Sequence, residues 1–355
     1  MSSKIVQGIA TPALVVDCEI LDRNIRNAHA LLSEAGVRIR PHVKTHKSLE
    51  IARRQLAAGA SGLTVATIGE AEVFSRVSND LFIAYPLWPD EDQFAILNSL
   101  AARSRLALGV DSLDGIAHLA TALDPAIELM IEIDSGHHRS GCAPERAGSL
   151  AAAAEERNLR VRGVFTFPGH SYALAGAASA SADEAAALSA AADSVQDSTG
   201  QDSLELSGGS TPSFRSSASS RITEVRPGVY VFNDAQQWEL GTVGPESIAL
   251  TAYARVVSTR PGHIVLDTGS KVLGADRADY STGHGRLLDV PDARIVQLSE
   301  HHAVVATSSS VPTGSIVRIV PNHVCNAVNL VDELIPVSES HARSPWPVDA
   351  RGRNR

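Results

Sequence analysis

The chain has 355 residues, 44% of them hydrophobic and 4% aromatic, and a formal charge of −9. That length exceeds one ordinary domain, and the acidic balance gives no footprint for nucleic acid or anionic lipid. No apolar run approaches the roughly 20 residues of a membrane span, the N-terminal MSSKIVQGIA has no signal-peptide core, and Cys18, Cys142 and Cys325 are too few and too scattered for a disulfide framework; a cytoplasmic protein is expected.

Read in chain order, TPALVVD (11–17) predicts a strand with no preceding partner, one that can cross into a later domain. Leu21, Ile25, Ala28, Leu31 and Leu32 then share a helical stripe that Gly36 stops. Short β-rich runs follow at 37–43, 62–66, 80–84, 105–110, 126–134, 160–167, 203–207 and 224–232, with Ala- and Leu-rich helical segments between them. This alternation predicts an α/β fold, a (β/α)8 TIM-type barrel over 18–238, with a doubly wound sheet as the alternative. The biased stretch 173–200 reads as an Ala-rich helix ending at Gly200, and the last crossover, TPSFRSSASSRIT, as short and weakly helical. From about residue 240 β-branched residues alternate around turns, which predicts a mostly antiparallel β domain over 239–351 that takes in strand 11–17. The terminal DARGRNR reads as frayed.

Active sites of such barrels lie at the C-terminal ends of the strands. In order, those ends deliver Lys44 and His46, Thr67, Tyr85, Asp111, then Asp134, His137, His138 and Arg139. His170 and Tyr172 follow, then SGGST (207–211), then Asn233 and Asp234. SGGST offers close backbone approach, two hydroxyls and free N–H groups, which suits either a phosphate nest or a tight turn. A lysine opposite such a nest suits a Schiff base with a phosphorylated aldehyde cofactor, its amine tuned by Lys47 or Arg139; a solvated lysine is the plain alternative. Arg139 can face a phenolate or phosphate, or form a surface ion pair. On a strand, His323 and Cys325 would share a face and hold one ion, with zinc favoured by imidazole and thiolate. A buried cysteine beside a polar histidine is the alternative, and His301 or His302 could add a ligand.

TPALVVD, RPHVKTHKS, EIDSGHHRSG, FPGHSY, SGGSTPSF, VRPGVYVFND, LSEHH and PNHVCNAVNL stand in one order along the chain. From about Thr11 to Arg351 the sequence thereby resembles D-serine dehydratase-like enzymes, a group that includes metal-activated D-threonine aldolases among the alanine-racemase-like (fold type III) pyridoxal-phosphate proteins. The resemblance implies a barrel plus a β domain, a homodimer, and a small D-3-hydroxy amino acid as substrate. It implies that Lys44 carries pyridoxal 5'-phosphate and acts as base at Cα, and that Arg139 meets the phenolate oxygen. It places His170 in the catalytic pocket, Tyr172 and Asn233 beside the cofactor, and Gly208, Gly209, Ser210 and Thr211 at its phosphate. His323 and Cys325 match the metal pair, for zinc or for manganese or magnesium. The His-x-Cys form matches the dehydratases, whereas NAVNL after it is nearer the aldolases, so dehydration of a D-serine-type substrate is favoured over aldol cleavage. More distant readings are a racemase with Tyr253 as second base, a non-catalytic pyridoxal-phosphate carrier, and a metal hydrolase using His137, His138 and His170.

Overall fold

The computed structural model describes residues 5–217, 221–339 and 341–355. They form two compact units, one of residues 28–44, 51–228 and 353–355, the other of 5–27, 45–50 and 229–352. These units interleave along the chain more than the segments 18–238 and 239–351 would. Residues 218–220 of the last crossover lie outside the described residues.

After β1 (Ala13–Asp17) and α1 (Cys18–Glu34), the first unit winds eight parallel strands. They are β2 (Arg38–Ile39), β3 (Leu63–Val65), β4 (Asp80–Pro86), β5 (Arg105–Val110), β6 (Glu128–Glu132), β7 (Val161–Phe165), β8 (Glu205–Gly208) and β9 (Glu224–Val225). Helices α2 (Leu49–Ala57), α3 (Ile68–Phe74), α4 (Glu91–Ala101), α5 (Leu113–Leu119), α6 (Ala147–Glu155), α7 (Ala177–Thr199) and the single turn α8 (Phe214–Ser217) alternate with them. The sheet runs β2-β9-β8-β7-β6-β5-β4-β3, and a parallel bridge from His42 to Thr64 joins its two ends. Thr64 donates its amide to the Pro41 carbonyl (2.9 Å) and its hydroxyl to the Arg40 carbonyl (3.0 Å) across that seam. The ring therefore closes, as a barrel must and a doubly wound sheet does not. Strands β6 and β7 are buried along their whole length, which is why they read as continuous apolar runs rather than alternating ones.

The first and last barrel strands are cut to two residues each. Pro41 ends the first, so Lys44 stands on a 3-10 turn, Val43–Thr45, rather than on a strand. Pro227 and Gly228 end the last, and Val229–Val231 is again a 3-10 turn. The Ala-rich segment forms α7 and stops at Gly200, whose φ of +74° lets its amide reach the Gln196 carbonyl at 2.8 Å.

The strand starts are filled by charge. Arg40 donates to Glu224 and Asp80, Arg162 to Glu205, and Arg105 to Glu128, with Arg38 on Glu205 and Arg160 on Glu128. Burial works against ionising Arg40, but Glu224 and Asp80 more than offset it and raise its pKa. Above this layer Phe82, Ala107, Met130 and Phe165 fill the interior, the two rings meeting edge to face at 5.0 Å. The buried guanidinium of Arg226 lies over both rings and donates to the Ser207 hydroxyl and the Thr166 carbonyl, each at 2.6 Å. Burial brings its pKa down to about 10.

The expected frayed terminus is docked instead. Thr67 donates its hydroxyl to the Arg353 carbonyl (2.7 Å) and Gly69 its amide to the Arg355 carbonyl (2.9 Å). Donors at the start of α3 take up these carbonyls, so the tail is held through its own main-chain oxygens, which composition does not reveal.

In the second unit, α9 (Ala235–Glu239) precedes β10 (Leu250–Arg260), β11 (His263–Leu266), α10 (Ser270–Leu273), β12 (Arg286–Leu287), β13 (Arg294–Leu298), β14 (Ala303–Ala306) and β15 (Ile316–Val320). Then come α11 (Val324–Asn329), β16 (Glu333–Ser338), β17 (His341–Ala342) and β18 (Trp346–Pro347). β10 pairs with both β11 and β15, so the path β11-β14-β13-β12-β15-β10 closes into an antiparallel ring. β1 pairs with β10 on its outside, antiparallel, and β16 lies parallel to β1. Among the described residues, no helix is long and apolar enough to cross a membrane.

Candidate active site

In the barrel unit the strand ends converge on a ring that sequence reasoning passed over, Phe167. Lys44 Nζ lies 5.9 Å from its centroid and the Arg139 guanidinium carbon 5.1 Å. His137 meets it edge-on at 5.5 Å and Tyr172 tilts against it at 6.3 Å. The aromatic face thus gathers groups from the ends of β2, β6 and β7, with both cations exposed at the mouth. The FPGHSY motif contains this residue, but a lone aromatic after a strand is ordinarily core.

Arg139 is presented by a short closed loop. Asp134 accepts the amides of Gly136 (2.9 Å) and His138 (3.0 Å) on one oxygen and pairs with His138 Nδ1 (2.7 Å) through the other. Burial opposes its charge, but these donors more than offset that and hold its carboxyl below the ordinary range. Gly141, at φ +100°, returns the chain so tightly that a Cβ there would stand 2.6 Å from the Asp134 amide nitrogen. Asp111 at the end of β5 accepts the Gly141 amide (3.2 Å), so its role is to pin this loop. Burial, then the charges of Arg139 and His170, lower the pKa of His137 and favour the neutral ring.

His170 lies within this surface, its Nε2 3.2 Å from Asp183 and its buried Nδ1 without a partner. The loop after β8 is built differently from expectation. The Gly209 amide, counted as a phosphate donor, donates to Glu184 Oε2 at 2.8 Å. What gathers there instead is hydroxyl groups: Ser210 with Ser171 (2.8 Å) and Ser213 (2.9 Å), and Thr211, whose buried Oγ1 has no partner. Unspent hydroxyl capacity in a buried polar cradle suits a phosphate, and Lys44 supplies an accessible amine near Arg139. The barrel residues therefore fit pyridoxal phosphate, which Lys44, Arg139 and this hydroxyl set could hold.

The metal pair belongs to the second unit, and its local structure corrects the strand expected there. β15 ends at Val320, Pro321 follows, and the extended His323 caps α11, which places Cys325 in its first turn. The side chains still lie close enough for Cys325 to act on the His323 imidazole. Asp234, fully buried at the start of α9, explains the turn: Oδ1 caps its own helix on the Gln237 amide (2.9 Å). Its Oδ2 takes the Val324 amide (3.3 Å) and His323 Nδ1 (3.2 Å). Burial lowers the pKa of His323, but Cys325 and Asp234 outweigh it and raise the value well above that of a free imidazole. Cys325 Sγ also donates to Thr45 Oγ1 at 3.2 Å. An imidazole and a thiol side by side, with a carboxylate behind the imidazole, fit zinc or another borderline divalent ion.

Other sequence candidates fall elsewhere. Asn233, at φ +52°, is in this second unit and gives its amide group to the Ser247 carbonyl (3.0 Å). Lys47, expected to tune the amine of Lys44, is buried at φ +49° with Nζ on the Ala350 carbonyl (3.4 Å). His46 is buried and accepts the Ser48 amide (3.1 Å); Thr67 caps α3. Tyr85 is exposed at the end of β4, and its pKa is raised by partial burial and then by Glu70. Tyr253 packs with Val6, Val15 and Val337, its hydroxyl accepting the Val6 amide (3.3 Å), so it is core rather than a racemase base. Among the described residues no group of three or more His, Cys, Asp or Glu side chains is placed to hold a metal ion, and His301 and His302 stay exposed; the hydrolase reading has no ligand set.

A closed parallel barrel with a mouth lysine and arginine, joined in one chain to an antiparallel β unit, defines an alanine-racemase-like enzyme. Residues 16–236 match the family described as alanine racemase, N-terminal domain, and residues 249–337 a putative serine dehydratase domain. The chain belongs to this family of fold type III pyridoxal-phosphate enzymes, in its D-serine dehydratase-like branch, and is an enzyme of the lyase type. It is 34% identical to D-threo-3-hydroxyaspartate dehydratase of Delftia sp. (strain HT23), over 89% of this chain and 90% of that one. It is 28% identical to D-threonine aldolase of Arthrobacter sp. over the whole of both chains. A cysteine-to-alanine variant of D-threo-3-hydroxyaspartate dehydratase, solved in a metal-free form, superposes with a TM-score of 0.87 at 28% identity, covering 97% of this chain and 99% of that one.

Proposed function

We propose that the chain is a pyridoxal-phosphate- and metal-dependent dehydratase of D-3-hydroxy amino acids, releasing a 2-oxo acid and ammonia. The observation that carries this reading is the pairing of His323 with Cys325, backed by Asp234. The dehydratase named above supports it, since that relative is the more similar in sequence of the two reported. When bound at Lys44, pyridoxal phosphate supplies an electron sink for charge developing at Cα. Zinc, which His323 and Cys325 would hold, would supply Lewis acidity toward a hydroxyl oxygen.

The chain's own groups then divide the work. Lys44 takes the Cα proton from its exposed position on the Val43–Thr45 turn. Arg139, whose guanidinium lies over the Phe167 ring, would hold an anionic oxygen of the cofactor. Thr211, Ser210 and Ser171 hold the phosphate with hydroxyl groups. With Nδ1 directed at Asp234, His323 has Nε2 left to ligate. The same reading takes the protein to be a cytoplasmic homodimer, which sedimentation and cell fractionation test.

Incubating the protein separately with D-serine, D-threonine and D-3-hydroxyaspartate decides the reaction. A 2-oxo acid plus ammonia is expected from D-serine or D-3-hydroxyaspartate, and activity should vanish with a chelator and return with zinc. Glycine plus an aldehyde would replace the proposal with aldol cleavage, and inverted substrate with racemisation.

A further inference from the structure

The carboxyl of Glu184 has no part in the chemistry above, yet it is aimed at the cofactor's phosphate cradle. It lies on α7 with no exposed surface. Oε2 accepts the Gly209 amide at 2.8 Å and Oε1 accepts the Ser217 hydroxyl at 2.9 Å. One side chain therefore clamps both ends of the segment 209–217, and Ser210, Thr211 and Ser213 lie between the clamped points. The approach is tight: a Cβ on Gly208 would come within 2.9 Å of Oε2 and 3.3 Å of Leu188 and Ile222. Gly209 holds φ +75° with Val225 behind it, at 2.7 Å from an added Cβ. Both bonds come from neutral donors, and among the described residues the charge that acts on the carboxyl is that of Arg226.

Resting on the pyridoxal-phosphate reading, we propose that Glu184 is the positioning residue of the phosphate site. By holding the Gly209 amide and the Ser217 hydroxyl, it turns the hydroxyls of Ser210 and Thr211 toward the phosphate. A carboxylate has the wrong sign to touch a phosphate, so it acts through the segment it holds, while its own negative charge, when ionised, opposes the bound anion. Burial pushes its pKa up to about 7, which the Gly209 and Ser217 bonds only partly oppose. Phosphate binding nearby favours the protonated form further. Wild-type affinity for the phosphorylated cofactor should therefore weaken as pH rises through neutrality.

The test titrates protein stripped of cofactor with pyridoxal phosphate and with pyridoxal, following Schiff-base absorbance. Glu184→Ala should weaken pyridoxal phosphate about tenfold and leave pyridoxal within about threefold, as loss of buried hydrogen bonds at the phosphate end alone predicts. Ser217→Ala, which leaves the Gly209 bond intact, should give a smaller loss in the same direction. Glu184→Gln keeps an acceptor for Gly209 and should restore affinity, with the fall above about pH 7 removed. Equal losses for both ligands, or none for either, would overturn the proposal. A wild-type protein that forms no adduct sinks the functional reading instead. Hydrogen exchange with inorganic phosphate then decides this one: phosphate should protect the amides of Ser210, Thr211 and Ser213 in wild type and not in Glu184→Ala, and equal behaviour in both rejects it.

Discussion

The two ends of the barrel are made from the same strands and are opposites in chemistry. At the strand starts nearly every charge is answered: Arg40 by Glu224 and Asp80, Arg162 by Glu205, Arg105 by Glu128. At the strand ends polar groups are left open, including Thr211 Oγ1, His170 Nδ1 and Glu132 Oε2, all buried without partners. A satisfied network rigidifies, whereas open donors and acceptors cost stability unless something binds them. One end of the barrel holds the fold and the other keeps its bonding capacity for a ligand.

Substitutions at each end should separate these roles. Lys44→Ala should cut turnover about 10²–10⁴-fold, the range for a lost proton-transfer group, while shifting stability by less than about 0.5 kcal/mol. A comparable loss of melting temperature would break the contrast. Arg40→Ala should do the reverse, costing about 3–5 kcal/mol in denaturant unfolding because it strands Glu224 and Asp80, with turnover of the folded protein near wild type.

The acid limb of that stability carries a further sign. Burial alone would raise the Glu224 carboxyl, but Arg40 and its neighbours bring it from 4.5 to about 2. A depressed carboxyl contributes stability above pH 4.5 that is lost as pH falls toward about 2. Burial and then the charge of Glu224 push the adjacent Glu205 the other way, so Glu224 is the member of the pair that stays ionised. Arg40→Ala should flatten this limb, and an unchanged acid profile would show that Arg40 is not the cause.

Smaller effects probe the open groups. Asp234→Asn keeps the cap on α9 but weakens the hold on His323, and should lower metal affinity about 10–100-fold by competition with a chromophoric chelator. Phe167→Leu removes the face shared by Lys44 and Arg139, and should weaken pyridoxal phosphate only severalfold, about 0.5–1 kcal/mol per cation. A larger loss would mean that the ring does more than gather cations.

Much of this was legible beforehand. Eight β-rich runs alternating with helical segments foretold the barrel, and the order of short motifs foretold the family. The Ala-rich stretch did become α7, because Leu188, Ala191 and Val195 keep one buried stripe. The expected strand under His323 and Cys325 became a helix start because Asp234, 89 residues away from His323, caps it. Glu184 was one carboxylate among many on a long helix, and no spacing rule connects it to Gly209.

Sequence alone therefore determined the layered architecture and the residue types at each strand end, since periodicity and loop chemistry are local properties. Which of those residues meet was decided by tertiary structure. Lys44 with Arg139 on Phe167, Glu184 under Gly209, and Lys47 withdrawn onto Ala350 all depend on groups far apart in the chain. Barrel closure and buried hydrogen bonding choose such partners, because a polar group removed from water must find one wherever the fold provides it.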